Sequence, residues 1–323
     1  MFVYMDANRV VQIMYNPVFG KLTPLEIKNA SSSAGIDFIL DTIEGKPVTA
    51  TEAAKVYFIP EPETKLGFKQ KIKTMAKVVN IDSETIRHKL TNLDAVYEDG
   101  LSTMSINISN YNFKYEYNFQ QNPDMFQQTA PIEQSLAEQS AKELFTQLDR
   151  YPTELAQGQS QPIYFIYDPL NNAMQVTDRP EKANLIEIDY FRPEINSFSI
   201  VSPKFFNSQN FALIANQEGI YRVLRAQIKF FEKSDQQVGL YPVITGDEAF
   251  QKLKDGKALI ISNPNNSQSV TIKNMFMAYF DPDTYQQYLQ PVYVFVGDND
   301  FVAYVQAVSD SYIEGAIVDK PSQ

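Results

Sequence analysis

The sequence predicts an α+β fold, mostly antiparallel sheets with a few packing helices, built from two or three modules. Three observations carry that expectation. The stretch from Leu240 to Val308 spells a short capped helix, a long strand and a hairpin. Residues 163–231 hold a succession of strand-length apolar runs separated by turns. Helical periodicity is confined to a few short stretches, and 323 residues exceed a typical single domain. Composition shifts place the modules at 1–125, 126–235 and 236–323, the last being the helix-strand-hairpin unit.

In order, Val10 to Tyr15 suits a strand or a helix end, Asn16-Pro17 breaks it, and Asn29 to Gly35 is a loop. Ile36 to Leu40 is a short strand turning at Glu44-Gly45. Val56 to Ile59 is another, stopped by Pro60 and Pro62. Leu66, Phe68, Ile72, Met75, Ala76 and Val79 mark an amphipathic helix. Leu93 to Glu98, a turn at Asp99-Gly100, and Leu101 to Phe119 predict a hairpin with one very long arm. In that arm Met104, Ile106 and Ile108 alternate on even numbers and Tyr111 to Phe119 on odd ones, so a bulge is expected at Ser109-Asn110.

Gln120 to Ala130 is polar and broken by proline, the best linker candidate. Thr129 and Pro131 suit the cap and first position of a helix to about Asp149, with Ile132, Leu136, Leu144, Phe145 and Leu148 on its buried stripe. Strands follow at 163–167, 173–176, 185–191, 211–215 and 220–231. Thr245 and Glu248 have capping-box spacing, and Gly256 supplies a left-handed stop. Val270, Ile272, Phe276, Ala278 and Phe280 alternate along one strand face. Pro291 to Val296 and Phe301 to Val305 flank the turn Gly297-Asp298-Asn299-Asp300.

The net charge of −11, from 28 basic and 39 acidic residues, argues against a nucleic-acid partner, whose phosphates need a basic field. Cysteine is absent, which removes thiol nucleophiles, cysteine-ligated zinc and disulfides together. The one histidine, His88, leaves no multi-histidine metal site and makes a protonation switch conceivable only there. No run of about 18 apolar residues occurs, so the chain as given does not span a bilayer by helix.

Tyr241-Pro242-Val243-Ile244 before a helix, Ala278-Tyr279-Phe280 ending a long strand and Gln290 to Phe295 opening a hairpin resemble the C-terminal domain of the YycH/YycI regulators, and PepSY-type modules. Phe19 to Leu22, Ala54 to Pro60 and Asp189-Tyr190-Phe191-Arg192 are similar to uncharacterised single-anchor envelope proteins of candidate-phylum bacteria. The resemblance implies an extracytoplasmic domain tethered by an anchor helix preceding Met1, acting on a protein partner such as a kinase or protease. It supplies no catalytic motif.

One basic feature stands out in this acidic chain. Lys65, Lys69, Lys73 and Lys77 recur at four-residue spacing and form a candidate partner surface, although lysine-rich faces are usually only solvated. The aromatic arm from Tyr111 to Phe119 suits either a glycan or peptide platform or a buried sheet face. Asp281 and Asp283 with Asp298 and Asp300 suit calcium if their loops meet in space, and suit local turn bonding equally. Neither pair has EF-hand spacing, and no metal, cofactor or catalytic residue is expected.

The expected function is a non-catalytic interaction or regulatory module of a membrane-anchored bacterial envelope protein. Two alternatives are a structural or carbohydrate-binding envelope protein with tyrosines exposed in a groove, and a hydrolase using paired carboxylates in a cleft.

Overall fold

The computed structural model describes residues 3–5, 11–13, 15–83, 89–91, 93–127 and 130–316. In chain order, the first elements are β1 (Val3–Met5), β2 (Val11–Ile13), β3 (Ser31–Ser32), β4 (Asp37–Leu40), β5 (Ala53–Phe58) and α1 (Phe68–Val78). Next come β6 (Lys89–Thr91), β7 (Asp94–Asp99), β8 (Ser102–Asn107), β9 (Phe113–Tyr117), α2 (Gln134–Gln147), α3 (Thr153–Gln157), β10 (Gln159–Asp168) and β11 (Ala173–Thr177). The chain continues with β12 (Leu185–Phe191), β13 (Ile200–Val201), β14 (Phe211–Gln217), β15 (Ile220–Ile228), β16 (Val238–Pro242) and α4 (Gly246–Lys254). It ends with β17 (Leu259–Ser262), β18 (Ser269–Phe280), β19 (Tyr288–Leu289), β20 (Pro291–Gly297) and β21 (Val302–Gln306). The fold is α+β, and its strand pairs are antiparallel except that β4 and β13 each run parallel to β18.

Two compact units form, one from Met1–Glu61, Glu194–Phe206 and Phe231–Gln323, the other from Pro62–Pro193 and Asn207–Phe230. They do not coincide with the sequential segments 1–125, 126–235 and 236–323, because strand pairing recruits partners far apart in the chain. β5 lies between β16 and β19, and β9 pairs with β15.

In the first unit a seven-stranded sheet is built around β18, β20 and β21. Both predicted helix signals are present: the Thr245 hydroxyl accepts from the Glu248 amide at 3.2 Å, and the Glu248 carboxylate accepts from the Thr245 amide at 2.7 Å. Ala249 and Leu253 of α4 then bury against Tyr293 and Phe295. The turn from β20 to β21 places Asn299 and Asp300 at φ 52° and 58°, the backbone that a tight hairpin requires.

The expected single face of β18 is corrected. The register slips between Ile272 and Asn274, so Val270, Ile272, Met275 and Met277 face the α4 layer while Phe276, Ala278 and Phe280 face the opposite cluster. A bulge inverts the side-chain phase, and both faces of this strand are buried, so alternation of residue type does not report one face.

In the second unit a nine-stranded antiparallel sheet runs in the order β11-β10-β12-β14-β15-β9-β8-β7-β6. α1 and α2 bury Ile72, Met75, Ala76, Ala137, Ala141 and Phe145 on one of its faces. Three sequence expectations are corrected here. The long arm is two strands: β8 and β9 pair antiparallel, Ser102 opposite Tyr117 and Ile106 opposite Phe113. The phase change is therefore a reversal of the chain. The Asn107 side chain accepts from the amides of Ser109 and Asn110, and Tyr111 takes φ 59°.

The stretch expected as a linker carries two 3-10 turns, Phe119–Gln121 and Pro123–Phe126. They plug the other sheet face with Phe119, Met125 and Phe126, and the two phenylalanine rings pack on Tyr167. α2 begins at Gln134, later than Pro131, because the approach is tied down elsewhere: the Asn216 amide donates to the Pro131 carbonyl and the Glu133 amide to the Tyr221 hydroxyl. Of the expected stripe, Ile132, Phe145 and Leu148 are buried and Leu144 packs against the same core, whereas Leu136 is exposed and Ala137 and Ala141 take its place. Thr129 and His88 lie outside the described residues.

No helix among the described residues is long and apolar enough to cross a membrane.

Candidate functional site

A groove of about 780 Å³ opens in the second unit between the end of α1, one flank of α2 and the adjoining ends of β8, β9 and β15. Antiparallel pairing brings these pieces together, since Ser102 at the start of β8 lies opposite Tyr117 at the end of β9. β15 joins from the other side, Arg225 opposite Glu116. A register slip between Leu213 and Ile214 against β15 changes the phase of that strand. Tyr221 and Val223 thereby pack toward the helices, as Ala226 and Ile228 do beyond the slip, while Leu224 joins the opposite core.

Three tyrosines line the groove at graded depth. Tyr115 is buried; burial pushes its phenol above the ordinary range, and the neighbouring Ser102 side chain offsets part of the rise. Tyr117 is half-buried and accepts a hydrogen bond from the Asn122 amide at 2.8 Å. Tyr221 is clamped twice: its hydroxyl accepts from the Glu133 amide at 2.9 Å, and its carbonyl accepts from the Ser140 hydroxyl at 3.3 Å. Around the rings stand Gln147 and Gln217, with the charges of Asp124, Glu143 and Arg222. The Gln217 Oε1 atom is buried without a hydrogen-bond partner. A buried acceptor without a partner is costly, so this atom is an unsatisfied polar group in the groove's lining.

The arrangement offers flat apolar ring faces beside hydroxyl and amide groups, in a volume within the range of roughly 300–1,000 Å³ usual for small-ligand sites. Two of its tyrosines, Tyr115 and Tyr117, belong to the aromatic run that the sequence marks as a platform. Tyr221 and Gln217 are not singled out by sequence, because their place depends on the slip in β15 and on the turn between β14 and β15.

The basic stripe lies elsewhere on this unit. Lys69, Lys73 and Lys77 follow one another along α1, on a flank beside the buried Ile72, Met75 and Ala76, and Lys65 precedes the helix; Lys65, Lys69 and Lys77 are exposed and Lys73 is half-buried. Lys71, off that stripe, pairs with Asp149 and stands 5.6 Å from the Tyr111 ring.

The two aspartate pairs are held apart. Asp298 is level with Thr271, to which it is bonded through both backbone and side chain, while Asp281 lies ten residues further along β18, about 30 Å at strand rise. Among the described residues, no three His, Cys, Asp or Glu side chains gather in a way that would hold a metal ion.

Neither a protein-family model nor a curated protein matches the chain. Among solved structures it is similar to the crystal structure of an uncharacterised protein from Eubacterium rectale, at 12% sequence identity and a TM-score of 0.34, with 88% of this chain and 91% of that chain covered.

Proposed function

We propose that this protein is a non-catalytic binding module of the bacterial cell envelope, extracytoplasmic in location, and that the tyrosine groove of its second unit binds a neutral, hydroxyl-rich ligand such as an oligosaccharide segment. The observation that carries the reading is that the Tyr117 and Tyr221 rings and the Gln217 side chain, whose buried carbonyl oxygen has no hydrogen-bond partner, line one groove. Sugar rings stack their C–H faces on aromatic side chains while their hydroxyls donate to and accept from amides. The envelope location rests on the resemblance of the C-terminal segment to YycH/YycI-type domains.

The test is a titration of the full chain with soluble peptidoglycan fragments and neutral β-linked oligosaccharides, followed by NMR or calorimetry. Binding that is lost in Tyr117→Ala and weakened roughly two- to tenfold in Gln217→Ala, for the loss of one hydrogen bond, is the expected result. Binding that survives both substitutions places the ligand elsewhere.

A second reading, regulation of an envelope kinase or protease, is favoured by the exposed basic residues Lys65, Lys69 and Lys77 with Lys73 between them. Reversal of Lys69, Lys73 and Lys77 to Glu leaves oligosaccharide binding intact under the first reading. Under the second it abolishes cross-linking to a defined protein partner.

A further inference from the structure

The nine-stranded sheet ends in a strand that has none of the usual protection of an edge. β11 reads Ala173-Met174-Gln175-Val176-Thr177, without a charge or a proline; the opposite edge strand, β6, begins with Lys89. Met174 and Val176 lie directly opposite Tyr167 and Phe165 of β10, and so share the face on which those two rings are buried. Unlike the rings, they are uncovered, at 43% and 70% exposure, and Leu170 in the adjoining turn is 93% exposed. An apolar ridge therefore continues the core to the rim of the sheet, beside an unblunted strand.

We propose that β11 is the self-association surface of this protein, pairing antiparallel with β11 of a second copy about a two-fold axis at Gln175. The argument for a second copy is the self-complementarity of the strand. Two-fold pairing about Gln175 sets Ala173 opposite Thr177 of the other copy and, twice over, Met174 opposite Val176. The two exposed apolar side chains of each copy then cover those of the other on the same face, as an isologous interface requires. In the same register Asp178 and Arg179 come opposite Asn172 and Asn171 of the second copy, so no like charges oppose one another despite the net charge of −11. A five-residue strand pair is smaller than a standard interface, which makes the dimer weak and dependent on concentration. The inference is independent of the groove.

Sedimentation velocity over a range of concentrations is the first experiment, on the full chain, on Met174→Lys/Val176→Lys and on Gln175→Cys. The expected result is a dimer that dissociates on dilution and is weakened more than about 100-fold in the double lysine variant, where lysines face lysines across the axis. Circular dichroism of that variant matching the parent's is the expected control. Because the chain has no cysteine, Gln175→Cys forms a single intermolecular disulfide under mild oxidation, whereas Thr177→Cys, which faces position 173, does so far more slowly. A chain that stays monomeric throughout overturns the proposal. So does a dimer indifferent to the lysines, or one in which both cysteines cross-link equally.

Discussion

The guanidinium carbon of Arg192 stands 3.9 Å from the centroid of the Phe230 ring, with the arginine side chain wholly buried. Its Nε lies 3.2 Å from a carboxylate oxygen of Glu154 on the short helix α3, an ion pair without hydrogen-bond alignment at that nitrogen. A buried guanidinium is tolerated because the ring face and the carboxylate replace water. Glu154→Ala removes this carboxylate while leaving the buried cation in place. It is expected to cost about 3 kcal/mol in urea unfolding, and Glu154→Leu combined with Arg192→Met to recover most of that loss. A Glu154→Ala variant as stable as the parent would show the pair to be idle.

Phe126 distinguishes a plug from a linker. Its ring centroid lies 4.7 Å from that of Tyr167 and 5.8 Å from that of Phe119. Phe126→Ala is expected to destabilise the second unit by about 3–5 kcal/mol, as cavity formation in a core does. A change within a few tenths of a kcal/mol would be the signature of a solvated connection.

Gly158, which ends α3, has φ −80°, a backbone open to any residue. What it lacks is room: a Cβ there would meet the Phe191 carbonyl oxygen at 1.8 Å. Gly158→Ala must push β10 and β12 apart where Gln159 and Phe191 pair, so a loss of about 3 kcal/mol is expected in thermal unfolding. Gly219→Ala, in the exposed turn between β14 and β15 with open space at its Cβ, pays only for its positive φ, and about 1 kcal/mol is expected.

Stability should fall at alkaline pH. Burial raises the phenols of Tyr190, Tyr279 and Tyr304 above their ordinary value. The native state keeps protons that the unfolded chain releases above about pH 10, so this stabilisation is complete below that pH and is lost as pH rises beyond it. Tyrosinate absorbance should therefore appear for these residues together with the loss of tertiary circular dichroism. Ionisation of all tyrosines before unfolding would contradict it.

How far the fold is legible in the sequence varies by element. β12 and the capping box of α4 are where pattern and local chemistry place them, because a run such as Leu185 to Phe191 and the pair Thr245 and Glu248 act over a few residues. The interpretation of Leu101 to Phe119 as one arm fails because a reversal through Ser109 to Asn112 and a bulge produce the same change of phase. Gln120 to Ala130 reads as a linker because its polar residues outnumber Met125 and Phe126, which nonetheless do the packing.

By itself the sequence determined the α+β class, the position of most strands, the acidic cysteine-free character and the aromatic run that supplies Tyr115 and Tyr117 to the groove. These are local properties, set by period, caps and composition. Only the tertiary structure decided that each unit is assembled from separated stretches of chain, that Tyr221 and Gln217 join those tyrosines, and that β11 is left at the edge with Met174 and Val176 uncovered. Strand partnership is a contact between distant residues, and the order of strands in a sheet is settled by which apolar faces bury one another.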